Sequence, residues 1–578
     1  MPYFFSPHKT NQLVAMICAP CRLCFGTTRT AACGMVVLLF SLTGISRGSV
    51  VVESKSGVVV AGAAEAANAG VEILRKGGTA ADAAVAVSLS LTVAEPFNSG
   101  IGGKLAGLYY DAASGKTWFI DGLGRAPAHL PVDEMVAAPK ADRERGYKSV
   151  CVPGAVAALD VLHERWGKLP WKQCAEPAVQ LAEAGFHVPA KQVFVFRELI
   201  DVVRPDAEAM KIFFPGGEAP AEGALLANPE LGKVMRTIRD EGPRAFYRGW
   251  IAEKICAAAK AGGGWLDRRD FEDCRAEVTE PLQVDYRGYT IKSSPPPLTG
   301  GAIMLSVLKA LEDHDWKDVS ANSAARIDAS ARAFRAVYPR VAGVAGDHPQ
   351  ARGDVEHLLS EQEIAALRSE IAGGGTGSDK PFESDGGETS HFIVVDKAGN
   401  IACITQSLSL HFGAAVVPPG TGILLNNDIS NFGFYRKSSV NYIAPGKKPR
   451  STITPTIVFK DKHPVLALGA PGGQRIPSGV FQVLTGVLDF GQTAAEAIDS
   501  PRFHLVRPTT SKDPSNVLDV EIGMDDAVAG ELEKAGWSVR HKKRESYYFA
   551  GVNAVAFRPD GTRVAVGDDR RTNKAAAE

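Results

Sequence analysis

The residues with the clearest chemical potential lie where a glycine-rich stretch meets an apolar segment, at Gly386-Gly387-Glu388-Thr389-Ser390-His391-Phe392. If the chain is cut before Thr389, the new α-amine lies beside the threonine's own hydroxyl and can act as its general base. The unperturbed pKa of an α-amine is about 7.7–8.0, which suits a base near neutral pH. The preceding stretch can then move aside and open a pocket. Thr389 is therefore a candidate nucleophile for acyl transfer. The motif by itself fits a Ser/Thr-rich strand that begins after a loop equally well.

Strand-like sequence surrounds Thr389. The stretch before it, residues 371–387, is rich in glycine and has no sustained apolar pattern, which predicts a flexible segment. Residues 391–396 and 400–406 then flank a Lys-Ala-Gly turn and predict a hairpin. The same reasoning predicts hairpins at 105–111 with 116–121, 454–459 with 464–468, and 552–558 with 562–566. Two antiparallel sheets with helices outside them would fit this pattern.

Helical signals occupy much of the rest. Residues 63–76 have helical spacing of apolar residues and end at Gly77-Gly78. Thr79 and Asp82 have the spacing of a capping box, which predicts a second helix to about residue 94. Residues 151–330 are predicted to be mainly helical, and further helices are predicted at 475–488 and 525–535.

Composition excludes some classes of function. The chain has 578 residues, of which 45% are hydrophobic and 22% charged, as in ordinary globular proteins. Lys and Arg together number 64 against 65 for Asp and Glu, a net charge of −1. A general nucleic-acid binder would show a basic excess, so no nucleic-acid partner is expected, although the balance does not exclude local basic patches.

The N-terminal segment resembles a secretory leader. Residues 31–45 form an apolar run that is shorter than the ~20 residues of a membrane span and suits a signal peptide. Arg22 and Arg29 precede this run, and small residues follow it around Gly48. We therefore expect residues 1–48 to be a signal and the body to be periplasmic or secreted. The alternative is an uncleaved leader that acts as a membrane anchor.

Two other motifs are set aside. Cys18, Cys21 and Cys24 have metal-like spacing, but they lie in the leader, and no metal site is predicted. The nine cysteines, four of them in the first 33 residues, are not arranged as a disulfide framework. Gly102-Gly103-Lys104 is similar to part of a phosphate-binding loop, but Leu105 stands where such a loop needs Ser or Thr.

Many ordered blocks resemble the gamma-glutamyltranspeptidase family over residues 57 to about 567. They are Gly77–Ala86, Val152-Pro153-Gly154, Asp285–Tyr289, Pro295–Gly301, Gly420–Asn427, Pro455-Thr456 and Gly469–Gly473. The resemblance implies an α+β fold, the αββα four-layer sandwich of N-terminal-nucleophile hydrolases. It also implies a zymogen that cuts itself between Glu388 and Thr389. The large subunit would be residues 49–388 and the small subunit residues 389–578, joined as a heterodimer.

The resemblance assigns roles to matching residues. Thr389 matches the nucleophile, and Ser407 matches a threonine whose hydroxyl lies near it. Gly472 and Gly473 match the oxyanion hole, where backbone N–H groups stabilise the developing charge. No metal or organic cofactor is implied.

The substrate-binding positions depart from the family pattern. Leu123 stands where the family has a carboxylate-binding arginine, and Arg125 lies two residues further on. Two alternatives are open for Arg125: its long side chain reaches the same substrate carboxylate, or it points elsewhere. Ser451 and Thr452 keep the two hydroxyls of the family's serine pair. On the α-amine side, the matching residues are Ser409, Asp428 and Asn431, so one carboxylate remains but at a different position.

Three hypotheses follow. The first is a secreted, self-processing amidase that hydrolyses or transfers a gamma-glutamyl group from glutathione-like substrates. The second keeps the chemistry but takes an acyl group without an α-amine, such as a glutaryl, cephalosporin-type or small amide. The third is a non-catalytic extracytoplasmic binding protein on the same scaffold.

Overall fold

The computed structural model describes residues 48–373, 388–508 and 513–578. The predicted leader lies outside these ranges apart from Gly48, and so do Cys18, Cys21, Cys24 and Cys33. Most of the predicted flexible segment, residues 374–387, is also outside them.

The strands are short and spread along the whole described chain. Their bounds are β1 (Val50–Ser54), β2 (Val58–Ala61), β3 (Lys104–Asp111), β4 (Lys116–Gly122), β5 (Phe186–His187), β6 (Leu225–Leu226), β7 (Glu277–Thr279), β8 (Leu282–Tyr286), β9 (Tyr289–Ser293), β10 (Glu388–Val395), β11 (Ile401–Ser409), β12 (Thr456–Lys460), β13 (His463–Gly469), β14 (Phe503–Leu505), β15 (Val517–Glu521), β16 (Ser538–Lys542), β17 (Asn553–Phe557), β18 (Arg563–Gly567) and β19 (Lys574–Ala577).

The helices fall mainly before β10. Their bounds are α1 (Ala64–Arg75), α2 (Ala80–Ala94), α3 (Val132–Ala137), α4 (Lys140–Glu144), α5 (Ala155–Trp166), α6 (Trp171–Ala184), α7 (Ala190–Val203), α8 (Ala207–Phe213), α9 (Pro229–Glu241), α10 (Trp250–Ala261), α11 (Arg268–Glu272), α12 (Gly300–Leu311), α13 (Ala324–Val344), α14 (Ala351–Leu358), α15 (Glu361–Ala372), α16 (Ile476–Leu488), α17 (Ala494–Asp499) and α18 (Asp526–Lys534).

Two seven-stranded antiparallel sheets form the centre. Their spatial orders are β1-β18-β17-β13-β12-β9-β8 and β19-β2-β10-β11-β3-β4-β7. One apolar cluster takes residues from both sheets, such as Ile393 and Cys403 from one and Ile457 and Val555 from the other. The sheets therefore stack face to face, and helices cover both outer faces. This is the predicted αββα sandwich.

Both faces of the inner strands are buried. On β10, Ile393 and Val395 face the other sheet, while Phe392 and Val394 face the helices. Successive side chains of a strand point to opposite faces, so a strand covered on both sides needs a continuous apolar run. Residues 392–395 supply that run.

The order of strands mixes sequence from both sides of residue 388. Strand β10 lies between β2, which precedes that residue, and β11, which follows it. The C-terminal strand β19 pairs with the other edge of β2. Neither part of the chain builds this sheet alone.

Local signals predicted most of these elements. The predicted hairpins correspond to β3–β4, β10–β11, β12–β13 and β17–β18. Thr79 and Asp82 form a capping box at the start of α2. Residues 277–293, within the region predicted to be mainly helical, instead form β7, β8 and β9. In β8 the buried Leu282, Val284 and Tyr286 alternate with exposed residues, the strand period that this segment follows.

No helix in the described ranges combines the length and the apolar character that crossing a bilayer requires.

Candidate active site

Thr389 lies near the start of β10, in the interior of the sheet, and is 3% exposed. The pairing of β10 with β11 shifts here, because Glu388 pairs with Ser409 while Ser390 pairs with Gln406. Two residues of β11, Ser407 and Leu408, therefore face Thr389 alone. Such bulges occur beside active sites, where they redirect a side chain.

Ser407 contacts the peptide bond that joins Glu388 to Thr389. Its Oγ donates a hydrogen bond to the carbonyl oxygen of Glu388 at 2.6 Å. The same Oγ accepts a hydrogen bond from the backbone N–H of Ser409 at 2.9 Å. The hydroxyl is thus oriented toward the carbonyl that would be attacked if Thr389 cleaved its own peptide bond.

The glycine pair lies between β13 and α16. Gly472 has a φ of +139°, and a Cβ atom there would lie 2.8 Å from Cα of Ala550. Gly473 has a φ of +55° and begins a short 3₁₀ turn that leads into α16. The backbone N–H groups of this pair have no acceptor among the described residues. Free N–H groups at the start of a helix favour an anion.

Of the predicted pair Ser451 and Thr452, Thr452 is hydrogen-bonded to this turn. Thr452 Oγ1 donates to the carbonyl oxygen of Gly473 at 2.8 Å. The backbone carbonyl of Ser451 accepts a hydrogen bond from the N–H of Thr299 at 2.8 Å. Thr452 therefore supports the glycine turn.

The side chain of Glu388 lies beside two arginines and a histidine. Arg571 donates to it at 2.9 Å, and Arg475 and His411 lie at 3.5 Å and 3.8 Å. Burial alone would raise the pKa of Glu388, but the electrostatic effect of its neighbours, chiefly Arg571, outweighs burial and the pKa is lowered. Burial lowers the pKa of His411 to about 4, although Glu388 opposes this. The carboxylate before the candidate cleavage bond is thus anchored in its ionised form.

A second charged cluster lies on the other side of Ser407. Lys104 begins β3 and pairs in register with Ser407, and both residues are buried. Its Nζ donates to Ser409 Oγ at 2.6 Å and to Oδ1 of Asp428. Ser409 Oγ also donates to Oδ1 of Asp428 and accepts from Nδ2 of Asn431 at 2.8 Å. The predicted residues Ser409, Asp428 and Asn431 therefore lie together, joined by a lysine that the sequence reasoning assigned no role.

The backbone of this cluster is strained at Ser409. Ser409 has a φ of +78°, in the left-handed region that a serine rarely adopts. A residue held in such a conformation costs of order 1–3 kcal/mol and needs surrounding contacts to maintain it. Here the hydrogen bonds to Lys104, Asp428 and Asn431 supply them.

Arg125 has different partners. Its guanidinium lies 2.7 Å from Glu277 and 3.8 Å from Asp347, and it donates to the carbonyl of Gly446 at 3.2 Å. None of these three is a predicted site residue, and the side chain is 42% exposed. Leu123, at the place of the family's arginine, is buried between the sheets.

A further buried polar group lies directly after Thr389. Glu95 accepts hydrogen bonds from the hydroxyl of Ser390 and from Nδ2 of Asn98 at 2.8 Å. Burial raises the pKa of Glu95. Sequence reasoning missed Glu95, Arg571 and Lys104. For Lys104 the available signal was a charged residue opening an otherwise apolar strand.

Away from this site, three side chains lie close enough together to hold a metal ion. Ligand atoms of Asp82, His163 and Cys174 lie within 4.8 Å of one another. However, Asp82 caps α2 and accepts the backbone N–H groups of Lys168 and Leu169. Nε2 of His163 pairs with the carbonyl of Leu169 at 2.8 Å. These hydrogen bonds explain why Asp82 and His163 lie here: they cap α2 and hold the chain at residues 168–169.

The four-layer sandwich, with a threonine entering an inner strand and a glycine turn at a helix start, has the architecture of N-terminal-nucleophile hydrolases. The family model of gamma-glutamyltranspeptidase matches residues 66–578. The chain belongs to this family and is an enzyme of the hydrolase and transferase type that the family comprises.

Individual relatives carry two kinds of name. A "Glutathione hydrolase proenzyme" from Pseudomonas sp. (strain A14) is 32% identical over 472 residues, 78% of this chain and 82% of that protein. An "Acylase ACY 1 proenzyme" from Pseudomonas sp. (strain V22) is 32% identical over 522 residues, 88% and 90% of the two chains. The solved structure of a cephalosporin acylase from Bacillus halodurans matches with a TM-score of 0.82 at 28% identity, covering 91% of this chain and 97% of that one.

Proposed function

We propose that the chain is a self-processing amide hydrolase with Thr389 as its nucleophile. The observation that carries the proposal is the hydroxyl of Ser407, which lies 2.6 Å from the carbonyl oxygen of Glu388 at the start of a buried strand. A peptide carbonyl polarised beside a threonine hydroxyl is the arrangement that self-cleavage needs.

Self-cleavage would proceed through an ester. Thr389 Oγ attacks the carbonyl carbon of Glu388, the C–N bond breaks, and the hydroxyl proton passes to the departing nitrogen. Water then hydrolyses the ester, which leaves a carboxylate on Glu388 and a free α-amine on Thr389. The products are a large and a small subunit that remain associated as a heterodimer.

The same hydroxyl would then act on substrates. The α-amine of Thr389 takes the hydroxyl proton, and Oγ attacks the amide carbonyl of a small-molecule donor. The backbone N–H groups of Gly472 and Gly473, which have no acceptor among the described residues, are proposed to bind the developing oxyanion. The amine of the substrate leaves with a proton, and water or a second amine resolves the acyl-enzyme.

Two classes of acyl donor are supported by the names of relatives. Glutathione hydrolases indicate a gamma-glutamyl group, while the acylases indicate an acyl group of another kind. The pairing of Lys104 with Asp428 favours the second class. We also propose that residues 1–48 direct the protein to the periplasm or outside the cell.

Mass spectrometry of purified protein tests the proposal. Wild type is expected to give a fragment of residues 389–578, and Thr389→Ala is expected to stay uncut and to hydrolyse no amide. Thr405→Ala is a matched control, because Thr405 is a buried threonine on the neighbouring strand that hydrogen-bonds His391. A normal fragment from Thr389→Ala would reject the nucleophile. An uncut, inactive wild type would favour a non-catalytic binding protein.

A further inference from the structure

The charged cluster beside Ser407 lies next to the carbonyl of Glu388, the one that Thr389 would attack. The cluster consists of Lys104, Ser409, Asp428 and Asn431. Ser409 pairs in register with Glu388, and its N–H bonds the Ser407 hydroxyl that contacts the Glu388 carbonyl. An acyl group attached to Thr389 would therefore lie beside this cluster. Its charges decide which acyl groups fit there.

The charges of Lys104 and Asp428 balance each other without a substrate. Asp428 is fully buried, and it is the one carboxylate that the described contacts bring to the Lys104 ammonium. The ammonium is itself only 3% exposed. A buried charge is tolerated when it is paired, and each charge here is the counter-ion of the other.

Two acceptor atoms nevertheless remain without a donor. Oδ2 of Asp428 and Oδ1 of Asn431 are buried and have no hydrogen-bond partner among the described residues. A neutral hydroxyl, amide or water can satisfy them. An ammonium could also donate to them, but it would add a second cation beside Lys104, and the described residues bring no carboxylate other than Asp428 to this cluster. Like charges in a low-dielectric pocket repel strongly.

We infer that Lys104 is a specificity-determining residue that excludes acyl donors carrying an ammonium group, so that the enzyme acts on amides of acids without an α-amine. The inference rests on the proposed function of Thr389. The ammonium of Lys104 forms the ion pair with Asp428 that a substrate ammonium would otherwise form. The expected donors are thus amides of acids that carry no α-amine, such as glutaryl amides.

Two chromogenic amides test the inference on matured wild-type protein. Glutaryl p-nitroanilide and L-gamma-glutamyl p-nitroanilide differ only in the α-amine. We expect kcat/KM to favour the glutaryl donor at least about tenfold. Lys104→Met is expected to reduce that preference at least about tenfold, because it frees Asp428 to bind an ammonium. Adding Asp428→Asn to Lys104→Met should remove the gain for the gamma-glutamyl donor.

Controls separate specificity from folding. Lys116→Met removes an exposed lysine at the start of β4 and should leave the ratio unchanged. If Lys104→Met does not fold, calorimetric titration of matured wild type with glutarate and L-glutamate still decides. Glutarate is expected to bind at least about tenfold more tightly.

The outcomes distinguish the two proposals. Wild type that is cut and active but hydrolyses both amides equally, or prefers the gamma-glutamyl donor, overturns this inference alone. Equal binding of glutarate and L-glutamate does the same. Wild type that stays uncut and hydrolyses neither amide contradicts the proposed function, and this inference then falls with it.

Discussion

The hydroxyl of Ser407 lies 2.6 Å from the carbonyl oxygen of Glu388, and the backbone N–H of Ser409 fixes the same hydroxyl from the other side at 2.9 Å. A donor held in place before the reaction stabilises charge without reorganisation when that charge develops. The relationship connects the geometry of a strand bulge to the reactivity of one peptide bond.

Ser407→Ala should slow self-cleavage. Removing a preorganised donor to a developing oxyanion commonly costs about 10²–10³ in rate. Ser407→Thr keeps the hydroxyl and should restore most of the rate. The measurement is the appearance of the 389–578 fragment in freshly purified precursor on denaturing gels. Cleavage of Ser407→Ala at the wild-type rate would remove Ser407 from the mechanism.

Gly472→Ala should reduce both activity and stability. A Cβ atom at this φ of +139° meets the backbone of Ala550, so the turn that presents the N–H groups has to shift. We expect a loss of ~1–3 kcal/mol in the free energy of unfolding and of about 10²-fold in kcat. Steady-state kinetics and chemical denaturation measure both.

A second glycine provides the control for that substitution. Gly343 lies in α13, where a Cβ atom would meet nothing within 4 Å. Gly343→Ala should keep wild-type activity and stabilise the protein by up to ~1 kcal/mol, because alanine favours a helix. If both alanine variants behave alike, the special conformation at Gly472 is not what activity requires.

Acid should destabilise the protein partly through His411. Burial lowers the pKa of His411 from an ordinary 6.5 to about 4, so the folded state favours the neutral ring. The resulting stabilisation is complete above about pH 6.5 and is lost as the pH falls through 4. This group alone accounts for up to ~3 kcal/mol of the free energy of unfolding.

Denaturation curves of His411→Gln test this pH dependence. The loss of stability between pH 6.5 and pH 4 should be smaller in the variant than in wild type. His129→Gln is a suitable control, because the ring of His129 is 72% exposed. A variant curve parallel to that of wild type would show that His411 titrates as it does in the unfolded chain.

Arg125→Ala tests the predicted binding of a substrate carboxylate. The contact of Arg125 with Glu277 is half-exposed, and such ion pairs are worth little, so the guanidinium is free to turn to a substrate. We expect KM for glutaryl and gamma-glutamyl donors to rise at least about tenfold, with no change for an acyl donor that lacks a carboxylate. Arg558→Ala, which removes a comparable surface pair with Glu53, is the control. Unchanged KM for the carboxylate-bearing donors would limit Arg125 to its structural contacts.

Features set by local sequence were predictable. The capping box of α2 depends on two residues that are three positions apart, and the hairpin of β10 and β11 depends on a short turn between apolar runs. Each of these two signals is complete within about ten residues, so no knowledge of the fold was needed. Thr389 was singled out by its local motif together with the family resemblance, and its role stays a prediction.

The partners of Lys104 could not be predicted in the same way. A lysine is rarely buried unless it is paired, and its partner Asp428 is 324 residues away. The link of Glu388 to Arg571 spans 183 residues and has the same character. The three strands within 277–293 were hidden because only one face of β8 is apolar and each strand is short. Sheet pairing across the whole chain decides all three features.

The interleaved sheet also sets the order of assembly. Strand β2 is hydrogen-bonded on one edge to β10 and on the other to β19, both of which lie beyond the candidate cut. Halves made separately would each expose unpaired strand edges, which invite aggregation. We expect separately expressed 49–388 and 389–578 to be insoluble and to recover no activity on mixing, which refolding assays can check. If the proposed cleavage occurs, the intact precursor serves as the template on which β2, β10 and β19 pair, and the peptide bond before Thr389 becomes dispensable only after that pairing.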